Sequence, residues 1–157
     1  MFNIENIIFP PGAVPAPIKN TLHKKEVQMT NPAEEKKLEK RFHYDPVKNR
    51  FYVNFENYNI DNERDIHRIE FLVAEQLSHL GKRVDAIVNY ENFNIKQDLM
   101  QNYTNMVNRL MEHFYAGVTR YTTSASLRDE LGKSLQQQQV KPNFYSSNED
   151  AERALQS

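Results

Sequence analysis

"VDAIVNYENF", residues 84–93, is the stretch on which the fold turns. The apolar density of "VDAIVNY" predicts a buried strand at residues 84–90. An amphipathic helix stands on either side. Upstream, "NERDIHRIEFLVAEQLSHLG" places Ile66, Ile69, Val73, Leu77 and Leu80 at three- and four-residue spacing. Asp61 or Asn62 can cap its start, and Gly81 suits the position just past its end. Downstream, "IKQDLMQNYTNMVNRLMEHFYAG" carries a stripe of Leu99, Tyr103, Met106, Leu110 and Phe114, with Gly117 closing the helix. Strands separated by helices of this length need crossover connections, so most of the sheet is expected to be parallel.

Working outward, "RFHYDPVKNRFYVNFENY" reads as two strands around a turn at residues 45–49. Pro46 suits the second position of a type I turn and Asn49 tolerates a left-handed backbone. Phe51, Val53 and Phe55 alternate with Tyr52, Asn54 and Glu56, which gives one apolar face. On the other side come a short strand "VTRYT", a helix "SASLRDELGKSLQQQ" with Leu127, Leu131 and Leu135, and a strand "NFYSS". Ser147 can cap a terminal helix "NEDAERALQ". The order is β-β-α-β-α-β-α-β-α, an α/β layered domain whose sheet is mostly parallel with an antiparallel hairpin at its start. No internal sequence repeat is read along the chain.

The first forty residues differ in kind. Pro10, Pro11, Pro15, Pro17 and Pro32 interrupt any longer element, and "HKKEVQMTNPAEEKKLEKR" has too little apolar surface for a core of its own. Residues 1–40 are read as a proline-rich, charged, flexible arm or linker, and residues 41–157 as the α/β domain. A short helix at 32–40, with Asn31 as N-cap and Pro32 in its first turn, fits within the arm.

Composition narrows the function. The 157 residues include twenty basic and twenty-one acidic side chains, a net charge of −1, so no global field favours nucleic acid or an anionic surface. Zero cysteines exclude disulfides, thiolate catalysis and Cys-ligated metals. There is no run of about eighteen apolar residues, hence no expected membrane span. The segment "MFNIENIIFPPGAVPAP" lacks the basic start of a signal peptide. The expectation is a cytoplasmic protein without nucleic-acid or membrane partners.

Little in the chain spells out chemistry. His23, His43, His67, His79 and His113 stand apart, without the i, i+4 spacing of a helical zinc site, so no metal ligands are assigned. Only four glycines are present, and Gly81, Gly117 and Gly132 read as helix ends or breaks, so no phosphate loop or other cofactor site is expected. The aromatic run at 42–58 reads as core in preference to a stacking platform for single-stranded nucleic acid. Tyr90 and Glu91 leave the buried strand at its carboxyl end, where α/β sheets collect functional groups. No base partners Glu91 in the sequence, and no catalytic residue is assigned.

The stretch "VTRYTTSASLRDELG" gathers Thr119, Thr122, Thr123, Ser124 and Ser126 with Arg120 at a strand-to-helix junction. It lacks the G-x-S-x-G of a nucleophile elbow. Thr123 or Ser124 can cap the helix, and the remaining hydroxyls with Arg120 exceed what a cap needs. Arg120, Thr122, Thr123, Ser124, Tyr90 and Glu91 are therefore the candidates for contact with a partner or small anion. The bland alternative is a structural pair between Glu91 and Arg120.

The same segments carry a resemblance. "YDPVKNRFYVNFENYNI", "GKRVDAIVNYENFNI" and "YAGVTRYTTSASLRDELGKSL" look like the carboxyl-terminal extension of long bacterial acyl-CoA:acetate/3-ketoacid CoA transferases, from about Tyr44 to Ala151. "VTRYTTSA" followed by "LR..LG" is the most specific piece. The element order also resembles the STAS domain, although the region "NYENFNIKQDL" has no serine or threonine where that family places its phosphorylated serine. In the CoA-transferase family a glutamate in a glycine-containing motif forms a glutamyl-CoA thioester; Glu91 is followed by Asn92 and Phe93, and the glycine is missing. The resemblance implies a non-catalytic accessory or interaction module whose partner is a CoA-transferase catalytic region. Two other readings stand beside it: a subunit completing an acyl-CoA transferase in trans, and a free-standing STAS-type regulator binding a protein partner or small anion.

Overall fold

The computed structural model describes residues 32–156. Contacts divide the chain into residues 1–37 and 38–157, and the second unit carries the sheets and the helices packed on them. The expectations for the proline-rich segment and for an N-cap at Asn31 lie outside the described residues. The first described helix, α1 (Pro32–Glu39), buries only Leu38.

The elements that follow are β1 (Phe42–Asp45), β2 (Arg50–Asn54), β3 (Asn59–Ile60), α2 (Glu63–Leu77) and β4 (Val84–Asn89). Then come β5 (Asn94–Ile95), a 3₁₀ turn (Gln97–Leu99), α3 (Met100–His113), β6 (Tyr115–Tyr121), α4 (Ala125–Gln137), β7 (Phe144–Tyr145) and α5 (Asn148–Gln156). The main sheet runs β1-β2-β4-β6-β7. Only β1–β2 is antiparallel; β2–β4, β4–β6 and β6–β7 are parallel. This is the α/β architecture with an opening hairpin that the crossovers demanded. Among the described residues no helix is long and apolar enough to cross a membrane.

Local chemistry explains the joints. Asp45 Oδ1 accepts from the Val47 and Lys48 amides, and Asn49 takes φ 53°, so the hairpin turn closes as its residues suggest. The Asn62 side chain caps α2, Ser124 caps α4 through the Leu127 amide, and Ser147 accepts from the Asp150 amide at the start of α5. Gly81 sits at φ +70° just beyond α2. Phe51, Val53, Ala86, Val88 and Val118 pack with Ile66, Ile69, Val73, Met106 and Leu110 in one buried cluster, which holds α2 and α3 to one face. The opposite face carries α5, anchored by Arg50 and Tyr52 to Glu152 and by the Thr119 hydroxyl to the Ala151 carbonyl at 3.0 Å.

Three sequence expectations are corrected. Gly117 lies inside β6, not at a helix end: β6 starts at Tyr115, and a register shift opposite Val84 and Asp85 bulges the strand between Tyr115 and Gly117. Gly132 is a buried position within α4 and breaks nothing; its neighbour across the gap is Pro142. The helix expected from residue 95 begins at Met100, because Asn94–Ile95 pairs with Asn59–Ile60 as a second, two-stranded parallel sheet.

That small sheet exposes an internal repeat that the sequence reading missed. Residues 54–60 read "NFENYNI" and residues 89–95 read "NYENFNI". Both copies fold alike. Asn54 and Asn89 each accept, through Oδ1, the amide of the glutamate two residues on, at 2.9 and 2.8 Å. Asn57 and Asn92 both adopt a left-handed backbone, at φ 58° and 52°. The second and fifth positions, Phe55 with Tyr58 and Tyr90 with Phe93, turn inward and pack ring against ring, the Tyr90–Phe93 centroids being 5.0 Å apart.

Candidate functional site

The two repeat copies lie side by side at the carboxyl ends of β2 and β4, and their polar groups bond across the gap. The Asn57 amide N–H donates to the Glu91 carbonyl at 3.0 Å, and the Asn94 amide N–H to the Tyr58 carbonyl at 3.0 Å. Side chains form rungs: Asn92 donates to Asn57 at 2.6 Å and Asn94 to Asn59 at 3.2 Å. Glu56 accepts from Asn89 at 3.2 Å. Arg41 closes the outer edge of the first copy, donating to the carbonyls of Asn54 and Glu56 while its guanidinium lies 4.8 Å from the Tyr58 ring centre.

The third strand end, after β6, completes this ledge with different residues. Glu91 accepts from both the backbone N–H and the hydroxyl of Thr123, the latter at 2.9 Å. The Thr123 amide draws the Glu91 carboxyl below its ordinary value; burial opposes this, and the Thr123 and Thr122 hydroxyls add to the lowering. Thr122 is fully buried, and its hydroxyl accepts the Ser124 amide at 3.1 Å. Ser126 bonds the Ser124 hydroxyl at 3.3 Å.

All five hydroxyls are therefore engaged within the chain. Thr119 ties down α5, Thr122 shapes the turn, Thr123 binds Glu91, Ser124 caps α4 and Ser126 supports the cap. The surplus that suggested an external contact is absorbed by the fold. Of the predicted site residues, Glu91, Thr123 and Ser124 come together at the surface. Tyr90, Thr122 and Arg120 are buried.

Arg120 is the largest departure from expectation. It faces the core at 1% exposure, donating to the carbonyls of Lys141 (3.2 Å) and Pro142 (2.9 Å), and does not pair with Glu91. The bulge in β6 sets this orientation, putting Tyr115, Val118 and Arg120 on the core side together. Alternation within "VTRYT" carried the same signal, since Arg120 shares a face with Val118 and Thr122.

Sequence reasoning also missed Glu56, Asn57, Asn59, Asn92 and Asn94, all exposed on the ledge. The repeated heptad was the signal that could have found them. A separate polar groove of about 260 Å³ lies between α2 and α3, lined by Glu63, His67, Asn102 and Arg109 among others. Its charged groups already have partners: Arg109 binds Glu70 through two nitrogens at 2.8 Å, and Glu63 accepts from Asn102. Among the described residues no group of three or more His, Asp or Glu side chains could hold a metal ion.

No family model, no curated protein and no solved structure matches the chain. The resemblance to CoA-transferase extensions stands on the quoted segments alone.

Proposed function

We propose that the domain is a non-catalytic interaction module that binds a protein partner through the ledge at its strand ends. The observation that carries this is the state of Glu91. It is the one carboxylate read at the functional end of the central strand, and both its oxygens are taken by Thr123. A nucleophile or general base needs a lone pair directed at substrate and a partner to tune it. Glu91 instead acts as the internal anion for the strand end that leads into α4. What the ledge presents outward is a row of amides, hydroxyls and carboxylates on rigid turns, a surface suited to directional hydrogen bonds with another protein.

The resemblance at "VNYENFNI" and "VTRYTTSA" supports a CoA-transferase catalytic region as that partner. In this reading the module holds or orients the transferase and leaves the glutamyl-CoA chemistry to it. The experiment is affinity capture from the native cell, with the captured chains identified by mass spectrometry, using the wild-type protein and an Asn92→Ala/Asn94→Ala variant. The expected result is a CoA-transferase polypeptide held by the wild type and lost with the variant, and no CoA transfer between acyl-CoA and acetate by the purified chain. A borohydride-trapped glutamyl-CoA adduct on Glu91 would overturn the non-catalytic reading. Transferase activity that appears only on mixing the two chains would move the assignment to an enzyme subunit acting in trans.

A further inference from the structure

Arg120 brings a positive charge into the core and meets no carboxylate there. Its Nε has no hydrogen-bond partner, and no ion pair among the described residues includes it. The two carbonyls it reaches and the neighbouring Tyr90 hydroxyl satisfy hydrogen-bonding capacity and supply no compensating charge. A buried charge in that state is strongly disfavoured unless something of opposite sign lies close by.

The surroundings are three buried tyrosines. Tyr90 and Tyr103 join their hydroxyls at 2.6 Å, and Tyr115 lies on the same strand face as Arg120. Burial raises all three phenols above the ordinary tyrosine value, so none is a phenolate near neutral pH. One hydroxyl proton is spent between Tyr90 and Tyr103, which leaves the other to donate elsewhere. Arg120, Tyr90, Tyr103 and Tyr115 are among the residues lining a small cavity of about 20 Å³, with Val88 and Met106 among its apolar walls. A space of that size has room for one water molecule or one small monatomic ion.

We propose that this cavity binds a single monovalent anion of halide size, held by the Arg120 guanidinium and a hydroxyl proton of the Tyr90–Tyr103 pair. Water would fit, yet it adds no charge to balance the guanidinium. An anion supplies both an acceptor for the orphan Nε–H and the missing negative charge.

The test uses the full chain and bromide. Crystals grown in sodium bromide are examined by anomalous scattering at the bromine edge. Melting temperatures are measured against bromide concentration at constant ionic strength, for wild type and Arg120→Met. The expected results are an anomalous peak beside Arg120 and a wild-type Tm that rises with the logarithm of bromide concentration, by roughly 5 °C at ten times the dissociation constant. Arg120→Met loses the rise. If that variant does not fold, Tyr103→Phe keeps the ring packing, removes a donor and weakens bromide binding about tenfold. Density for water with no anomalous peak, or a bromide response identical in the wild type and the variants, overturns the proposal.

Discussion

Glu91 binds Thr123 at two points, accepting from its backbone amide and, at 2.9 Å, from its hydroxyl. This clamp joins the end of β4 to the turn that starts α4, and it is made by the ionised carboxylate. Glu91→Gln should therefore destabilise the domain by about 1 kcal/mol at neutral pH, the modest value being appropriate to a partly exposed charged hydrogen bond. The Thr123 contacts hold the folded pKa below 4.5, so this stabilisation is fully present above that value and fades as pH falls through the folded pKa. Urea unfolding of both proteins at pH 7 and at successively lower pH should show the gap narrowing below about pH 4.5. A gap independent of pH would mean that the carboxylate charge is irrelevant.

The left-handed asparagines give a second prediction. Asn57 and Asn92 sit at φ 58° and 52° and touch through their side-chain amides at 2.6 Å. Alanine in that conformation costs about 1 kcal/mol more than glycine, which adopts it freely. Asn92→Ala should therefore be less stable than Asn92→Gly by about that amount, by chemical denaturation. Pairing each with Asn57→Ala should give less than additive losses, because one rung is being removed twice. Equal stability of the Ala and Gly variants would count against the backbone argument.

Much of this architecture was legible in the sequence because its signals were local. Val84–Asn89 reads as a strand from apolar density, and the stripes at Ile66–Leu77 and Leu99–Leu110 read as helices from their spacing. Residue type narrows the caps to Asp61 or Asn62, Thr123 or Ser124, and Ser147, and Asn62, Ser124 and Ser147 fill the role. The site was harder, because its bonds join residues distant along the chain. Glu91 and Thr123 are 32 positions apart, and hydroxyls counted as surplus at one helix end are used by another loop. The charge of Arg120 suggests an outward contact or a pair with Glu91, whereas its alternation with Val118 places it inside. The repeat went unseen because Phe and Tyr exchange places between its copies. Its first five positions (Asn, apolar or aromatic, Glu, Asn, apolar or aromatic) recur in sequence at residues 3–7, outside the described residues.

A third prediction concerns alkaline pH. Burial raises the Tyr58 phenol to about 12, with Asp65 adding to the rise and Arg68 and Arg41 opposing it. Tyr90, Tyr103 and Tyr115 are raised chiefly by burial as well. For such groups the stability they lend is whole below the unfolded value near 10 and is lost as pH climbs above it. Ultraviolet titration at the phenolate band should show the exposed tyrosines ionising first. The buried set should follow only in step with loss of tertiary structure by circular dichroism. Ionisation of all eight tyrosines in one transition centred near 10, with the fold intact, would contradict this burial.

The last prediction tests how α5 is held. Arg50 is buried at 5% exposure and donates to Glu152 at 2.9 Å, and Tyr52 donates to the same oxygen at 3.2 Å. Burial pushes the Glu152 carboxyl up, but hydrogen bonds from Tyr52, Arg50 and Asn148 outweigh it and leave the pKa lowered. The partners are unequally exposed, with Glu152 at 25% and Arg50 at 6% by side chain. Removing the carboxylate strands a buried guanidinium whose Nε already lacks a partner. Removing the arginine leaves only a carboxylate that water can reach. Glu152→Ala should therefore cost about 2 kcal/mol or more, and Arg50→Met, which keeps the packing volume, about 1 kcal/mol. The double variant Arg50→Met/Glu152→Ala should be more stable than Glu152→Ala alone, since it no longer buries an unpaired charge. Hydrogen exchange localises the effect: amides of α5 should lose protection first in Glu152→Ala, while the Thr119 bond to the Ala151 carbonyl slows complete release of the helix. Arg50→Met proving the more damaging single change would show that the arginine supports the sheet itself and not the docking of α5.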